Sequence, residues 1–102
     1  MGEAEHMDDV LRRLERWYTK QCNGDWEHQY GVKIESVDNP GWRVEIDLAE
    51  TAWQDVTFAE LRVRREKRDW IMCFKNESRF VGSGDPSKLE EILIYFLTVV
   101  KG

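Results

Sequence analysis

The sequence predicts an α+β fold, in which a single antiparallel meander sheet of four to five strands is flanked by an N-terminal and a C-terminal helix. Two segments with apolar residues at helical spacing, one near each terminus, enclose a stretch in which apolar and polar residues alternate. Short polar turns separate the alternating segments, as is typical of strands that pair antiparallel with their neighbours. Both helices are expected to pack on one face of the sheet.

The N-terminal helix is predicted from about Asp8 to Gln21. An aspartate at its start can cap the first turn, and its apolar residues recur on one side. These residues are Val10, Leu11, Leu14, Trp17 and Tyr18. Asn23-Gly24 is expected to end the helix, because glycine tolerates the left-handed conformation found there. Residues 1–6 have no hydrophobic period and are predicted to be a disordered tail or an expression-vector remnant, so that one domain spans residues 7–102.

The strands are predicted from the alternation of apolar and polar residues. Their predicted bounds are Tyr30–Val37, Trp42–Leu48, Phe58–Arg65 and Trp70–Lys75, with a short fifth strand at Arg79–Val81. Between the first two strands, Asn39-Pro40-Gly41 is typical of a turn. Proline presets φ at the first central position of such a turn, and glycine permits a positive φ at the second.

The closing helix is predicted to begin just after Asp85. Asp85 is expected to be its N-cap and Pro86 its first residue, a position where an amide has no helical partner anyway. One apolar stripe follows, formed by Leu89, Ile92, Leu93, Phe96, Leu97 and Val100. A stripe of this width predicts that the helix buries one face against the sheet.

The length and the charge of the chain exclude some classes of function. The 102 residues suit one domain, and 15 basic against 20 acidic residues give a net charge of −5. That balance argues against a duplex nucleic-acid binder and suits a basic partner. No signal peptide is recognisable, and the apolar run within Ile92–Val100 is too short to span a bilayer. The expected location is the cytoplasm, with no membrane partner.

One cluster, Asp25-Trp26-Glu27-His28, contains a glutamate and a histidine, which are typical of acid–base and metal sites. Neighbouring residues in an extended segment point to opposite faces, so Glu27 and His28 are not expected to share a site. A binding surface or a hydrogen-bonded structural loop is favoured. A small enzyme using Glu27 and His28 remains the alternative.

Metal and phosphate chemistry is not predicted. Cys22, His28 and Cys73 lack the close pairs of a zinc site, so both thiols are expected to be inert. Gly82, Gly84 and Asp85 resemble a phosphate-binding loop only in their glycines, since no Lys-Ser/Thr follows. No cofactor and no small-molecule substrate are expected.

The basic stretch from Arg62 to Arg68 is the one indication of nucleic acid. If the second and third strands are neighbours, Glu45 and Asp47 would neutralise Arg62 and Arg64 across the sheet, and this solvated charge ladder is favoured. A module for single-stranded nucleic acid is the other alternative.

The fourth strand carries apolar side chains on both faces. Trp70, Met72 and Phe74 share one face, and Ile71 and Cys73 share the other. One of these faces must pack the helices. The other is either covered by a loop such as residues 51–57 or left open for a partner. Cover by the loop is slightly favoured.

A longer pattern runs through the chain from about Met7 to Val100. Its segments are Trp17-Tyr18, Gln21–His28, Tyr30-Gly31, Asp38–Trp42, Ile46–Leu48, Asp69–Ile71 with Cys73, Phe80, Gly82 and Leu89–Leu93. This pattern resembles the immunity protein 53 family, whose relatives are associated with bacterial polymorphic toxin systems. The resemblance implies a non-enzymatic cytoplasmic protein that neutralises a secreted toxin domain by direct binding.

The prediction of which residues contact such a toxin rests on this resemblance and on the chemistry of the residues. Acidic groups suit a basic toxin surface, and tryptophan and tyrosine are frequent binding anchors. The expected contact residues are Asp25, Trp26, Glu27, His28, Tyr30 and Trp70.

Overall fold

A computed structural model describes residues 2–102, with side chains from Asp9 onward, and within this range it contains three helices and five strands. Their bounds are α1 Gly2–Gln21, α2 Trp26–Gln29, β1 Val32–Val37, β2 Gly41–Asp47, β3 Leu61–Glu66, β4 Asp69–Asn76, β5 Arg79–Gly84 and α3 Leu89–Val99. The α+β class, the antiparallel sheet and the helix at each end are confirmed. None of the helices in this range is long and apolar enough to cross a membrane.

The N-terminal boundary differs from the prediction. Helix α1 begins at Gly2 rather than near Asp8. Met1 lies outside the described residues, as do the side chains before Asp9. The division into a tail of residues 1–6 and a domain from residue 7 therefore stays a prediction.

The strand order is β1-β2-β5-β4-β3, and every neighbouring pair is antiparallel. The simple meander is wrong at one point, because β5 lies between β2 and β4 and the chain crosses from β2 to β3 through residues 48–60. The two edge strands, β1 and β3, are also the ones with the most exposed side chains. Such an order keeps charged side chains at the margins of the sheet, where water reaches them.

The core lies on one face of the sheet. Val44, Gly82, Cys73 and Leu61 form a single row across four strands. Both helices pack above this face, as predicted, and the three rings of Trp17, Phe96 and Phe80 connect α1, α3 and β5. The ring centroids of Trp17 and Phe96 are 4.9 Å apart, and those of Phe80 and Phe96 are 5.3 Å apart.

Two local predictions are wrong. Among the described glycines only Gly24 has a positive φ, so Gly41 is not required for its turn conformation. A Cβ at Gly41 would instead overlap the carbonyl oxygen of Gly84, and glycine is needed there because β2 and β5 approach closely. Helix α3 begins at Leu89, three residues later than predicted. The Asp85 carboxylate makes a turn with Ser87 and bonds β4, so it is not free to cap a helix.

Gly82 makes room for α3 on the sheet. A Cβ at this position would overlap Cγ2 of Ile92, so Gly82→Ala is expected to displace α3 and lower the free energy of unfolding by about 1–3 kcal/mol. Urea unfolding followed by tryptophan fluorescence measures this change. Gly31→Ala is the matched control, because a Cβ there meets nothing within 4 Å. Equal losses in the two variants would contradict this account of the packing.

Candidate functional site

The segment from Cys22 to Tyr30, here named the Trp26 loop, is held by its own hydrogen bonds. Asn23 Oδ1 accepts the amides of Asp25 and Trp26, each at 2.9 Å. The Glu27 carboxylate accepts the amides of Asn23 and Gly24 at 2.9 and 2.8 Å. These bonds wind the chain into the short helix α2, so the prediction of an extended segment is wrong. Short polar side chains compete well for backbone amides at such positions.

Trp26 anchors this loop to the core. It is only 2% exposed, and its indole nitrogen donates a hydrogen bond of 2.9 Å to the Ala49 carbonyl. Its ring lies 6.1 Å from Trp17, 6.0 Å from Tyr18 and 6.1 Å from Tyr30, measured between centroids. A side chain this buried contributes packing rather than contact surface.

The Trp26 loop offers a smaller surface than expected. Asp25 and His28 are exposed, and Tyr30 is half-buried with its hydroxyl 3.5 Å from Glu50 Oε2. Backbone amides, that of Glu27 itself first and then those of Asn23 and Gly24, lower the pKa of Glu27. A carboxylate stabilised in its ionised form is a poor general base, which weakens the acid–base reading of Glu27 and His28.

Trp70 is far from this loop along the sheet. It pairs with Arg64 near the beginning of β4, and the next residue of β4 pairs with Gly84 at the end of β5. The Trp26 loop instead meets the opposite end of the sheet, where the Gly31 amide donates a bond of 2.9 Å to Asp47 at the end of β2. The six predicted contact residues therefore form two separate groups.

Opposite the helices lies a second surface, here named the open sheet face. It consists of Trp70, Met72 and Phe74 on β4 with Arg62 and Arg64 on β3. The three β4 side chains are half-buried. The loop expected to cover them packs on the helix side, with Trp53 5.9 Å from Trp17 and Phe58 6.0 Å from Phe80. The predicted cover is therefore wrong, and Trp70 lies on a surface that this loop leaves open.

The charges on the open sheet face also differ from the prediction. Glu45 and Asp47 cannot neutralise Arg62 and Arg64, because β5 and β4 lie between them. Glu45 bonds Arg43 at 2.7 Å and Asp47 bonds Arg79 at 3.1 Å. The hydrogen bond from Arg43 is the main reason why the pKa of Glu45 is lowered.

Arginines therefore flank the β4 side chains. The Arg62 guanidinium carbon lies 6.0 Å from the Phe74 ring centroid, and Arg62 also bonds Glu60 at 2.9 Å. Arg64 is exposed. Residues 61–69 carry five basic and two acidic side chains, a net charge of +3 in a chain whose total is −5. The open sheet face thus combines apolar side chains with local positive charge.

A buried ion cluster of Asp69, Asp85 and Lys88 supports one end of this face. Lys88 is 6% exposed, and its Nζ lies 2.8 Å from both Asp69 Oδ1 and Asp85 Oδ2. Asp85 also accepts the Trp70 amide at 2.9 Å. Burial acts to raise the pKa of Asp85, but hydrogen bonds from Lys88, Ser87 and the Trp70 amide outweigh it and hold this pKa well below its ordinary value. The cluster fixes the start of β4, and with it Trp70.

The two thiols have different surroundings. Cys73 lies in the core, and burial raises the pKa of its thiol to about 12. Cys22 is half-buried at the end of α1, where its sulfur lies 3.3 Å from the Tyr18 carbonyl oxygen. In the part of the chain that the structure describes, no three His, Cys, Asp or Glu side chains converge on a position for a metal ion.

Sequence reasoning missed the ion cluster altogether. Lys88 follows a proline and a serine, and nothing in that spacing indicates that its amine meets Asp69 from the β3–β4 hairpin. Sequence reasoning combined the arginines with exposed aromatic side chains only in the single-stranded nucleic-acid alternative, and it did not place them next to the aromatic residues of β4. Their pairing across β3 and β4 follows from the register, which the two alternating patterns permit but do not determine.

Comparison with known proteins agrees with the pattern found in the sequence. A family model described as immunity protein 53 matches residues 11–101, which include most of α1, the whole sheet and α3. No curated protein and no solved structure matched the chain. The chain therefore belongs to the immunity protein 53 family.

Proposed function

We propose that this chain protects a bacterial cell by binding a secreted toxin domain directly and blocking its action in the cytoplasm. The observation that carries the proposal is the family match over residues 11–101. An immunity protein implies a protein partner, and a single compact domain can supply a contact surface of the usual size. Polymorphic toxin systems are the setting that the family suggests.

The open sheet face is the best-supported contact surface. It offers half-buried Trp70, Met72 and Phe74, and aromatic side chains dominate the energetics of many interfaces. Arg62 and Arg64 border these residues, so the complementary toxin surface would carry acidic groups around an apolar centre. The ion cluster holds the start of β4 in place, which limits the ordering cost on binding.

The Trp26 loop is the competing contact surface. Its exposed Asp25 and His28 lie with the nearby Glu50 at the other end of the sheet, and this acidic end suits a basic toxin. Trp26 and Glu27 would support this surface from beneath rather than contact the partner, because one is buried and the other bonds the loop backbone.

Co-expression with a toxin domain tests the function. The probe is the C-terminal domain of a large secreted protein, if the gene immediately upstream of this one encodes such a protein. The chain should restore growth to cells that express this domain, and the two purified proteins should form a stable complex. Toxin activity should fall in proportion to the amount of this protein that is added, and it should vanish near an equimolar ratio. Neutralisation by far less than one chain per toxin would instead favour the enzyme alternative with Glu27 and His28.

Charge reversal at the two ends of the sheet separates the two surfaces. Arg64→Glu is expected to slow association with the toxin domain about tenfold at low salt, because it reverses a charge that borders the open sheet face. Asp25→Lys is the matched control in the Trp26 loop and should leave the rate within about twofold. Stopped-flow mixing at several salt concentrations measures both. If only Asp25→Lys changes the rate, the Trp26 loop is the contact surface.

Binding of single-stranded nucleic acid is a second candidate, because the structure brings Arg62 and Arg64 beside the aromatic side chains of β4. The net charge of −5 opposes it. A gel-shift assay with an oligo-dT probe at physiological salt tests this candidate. Retention that Arg64→Glu abolishes would favour it over the toxin.

A further inference from the structure

Strand β1 forms one edge of the sheet, and within the described residues its outward backbone groups have no hydrogen-bond partner. The Asp47 amide donates to the Gly31 carbonyl at 3.0 Å, and the same register continues through Lys33 opposite Glu45. Because antiparallel ladders alternate, the backbone groups of Val32, Ile34 and Ser36 face away from β2. The strand contains no proline, and its register shows no bulge. Strand β1 therefore lacks two features, a proline and a bulge, that commonly prevent an edge strand from pairing with another chain.

The charges on β1 are complementary to a second copy of the same strand. In an antiparallel pair centred on Ile34, the outward backbone groups of Ile34 in the two copies would bond each other. Lys33 of each copy would then lie opposite Glu35 of the other, at non-hydrogen-bonded positions where Cα atoms are closest, about 4.5 Å apart. Both side chains are exposed enough to make this contact, and within one chain they form only a long ion pair of 3.8 Å.

An apolar patch lies next to this edge. Ile34 is 39% exposed on the helix face of β1, and α1 presents Tyr18 at 37% and Leu11 at 60%. Between α1 and β1 runs an open groove of about 350 Å³, lined by Leu14, Tyr18 and Val32. A two-fold axis midway between the two Ile34 residues, perpendicular to the sheet, would bring the patches of both copies to the same side. Association would thus bury apolar surface that one chain leaves in water.

We propose that two copies of this chain associate through β1, forming a ten-stranded antiparallel sheet across a two-fold axis at Ile34. The self-complementary Lys33 and Glu35 favour a second copy over an unrelated strand, since an isologous contact must match a surface with itself. This association is independent of the toxin and of the open sheet face.

Sedimentation velocity up to about 1 mM protein tests the proposal. The wild-type chain should sediment as a dimer at high concentration. Ile34→Lys places two ammonium groups opposite each other and should raise the dimer Kd at least about tenfold. Ile34 is exposed at the edge, so the variant should keep the thermal stability of the dilute wild-type chain. Arg64→Glu on the other edge strand is the matched control and should dimerise normally. A wild-type monomer at every concentration, or a dimer that Ile34→Lys leaves intact, would overturn the proposal.

Cysteine pairing tests the register. In a Cys22→Ser background, Ile34→Cys should form a disulfide with itself, because opposed residues there have Cα atoms about 5.5 Å apart. Lys33→Cys and Glu35→Cys should each cross-link poorly alone and well when mixed, because only the mixture places the two thiols opposite each other. Equal cross-linking in all four samples would contradict the register and indicate random collision.

Discussion

Phe96→Ala is expected to lower the free energy of unfolding by about 3–5 kcal/mol, because it removes a large side chain from the centre of the core. Phe96 is fully buried and lies between Trp17 of α1 and Phe80 of β5. Its removal would leave a cavity where three elements meet, and these elements cannot all move inward to fill it. A domain with about 5–15 kcal/mol of total stability loses a large part of it in this way.

Urea unfolding followed by circular dichroism measures this loss. Ile94→Ala is the matched control, because Ile94 lies on the same helix and is exposed. The control should change stability by no more than about 0.5 kcal/mol. A similar loss in both variants would contradict the assigned role of Phe96 in core packing, because alanine is the better helix former at both positions.

Asp85→Ala is expected to destabilise the fold by about 3 kcal/mol. The substitution removes the acceptor for the partly buried Trp70 amide and for the buried Lys88 ammonium group. Asp69 still faces Lys88 in the variant, which keeps the loss below that of a fully unpaired charge. Asp38→Ala removes an exposed aspartate and is the control for charge alone. Equal stability of the two variants would contradict the assigned role of the ion cluster.

The same substitution should change the dependence of stability on pH. Because the folded-state pKa of Asp85 is below its ordinary value of about 4, its ionised form stabilises the fold. That contribution is complete above pH ~4 and is lost as the pH falls through the folded-state pKa. The gap in stability between wild type and Asp85→Ala should therefore be constant from about pH 7 to 5 and shrink in stronger acid. Urea titrations at several pH values measure the gap, and widening in acid would contradict the sign.

The fold class could be predicted because it follows from the local spacing of apolar residues. The apolar stripe of α3 and the alternation in β2 each determine an element and the face that it buries, and the burial of Val44, Ile46 and Leu48 agrees. Strand order could not be predicted in the same way. Alternation assigns faces but not neighbours, and the pairing of β2 with β5 depends on close approach at Gly41 and Gly84, which only the assembled sheet reveals.

The candidate site was predicted in part. Trp70 lies on the open sheet face, but Trp26 was predicted to be a contact residue as well, and it is a core anchor. Both tryptophans have polar neighbours in the sequence. They differ in whether those neighbours form hydrogen bonds to the surrounding backbone. Asn23 and Glu27 fold the Trp26 loop inward, and no local pattern distinguishes such bonds from side chains held out for a partner.

The strand order also determines which assemblies the protein can form. Strands β1 and β3 are the two margins of one sheet, with three strands between them. A contact through β1 leaves Arg62 and Arg64 at the margins farthest from the two-fold axis. A dimer of this chain would thus present two open sheet faces at once, so the proposed binding of a toxin domain would not require the two chains to separate. Mass measurement of the complex at high concentration should then give two chains and two toxin domains.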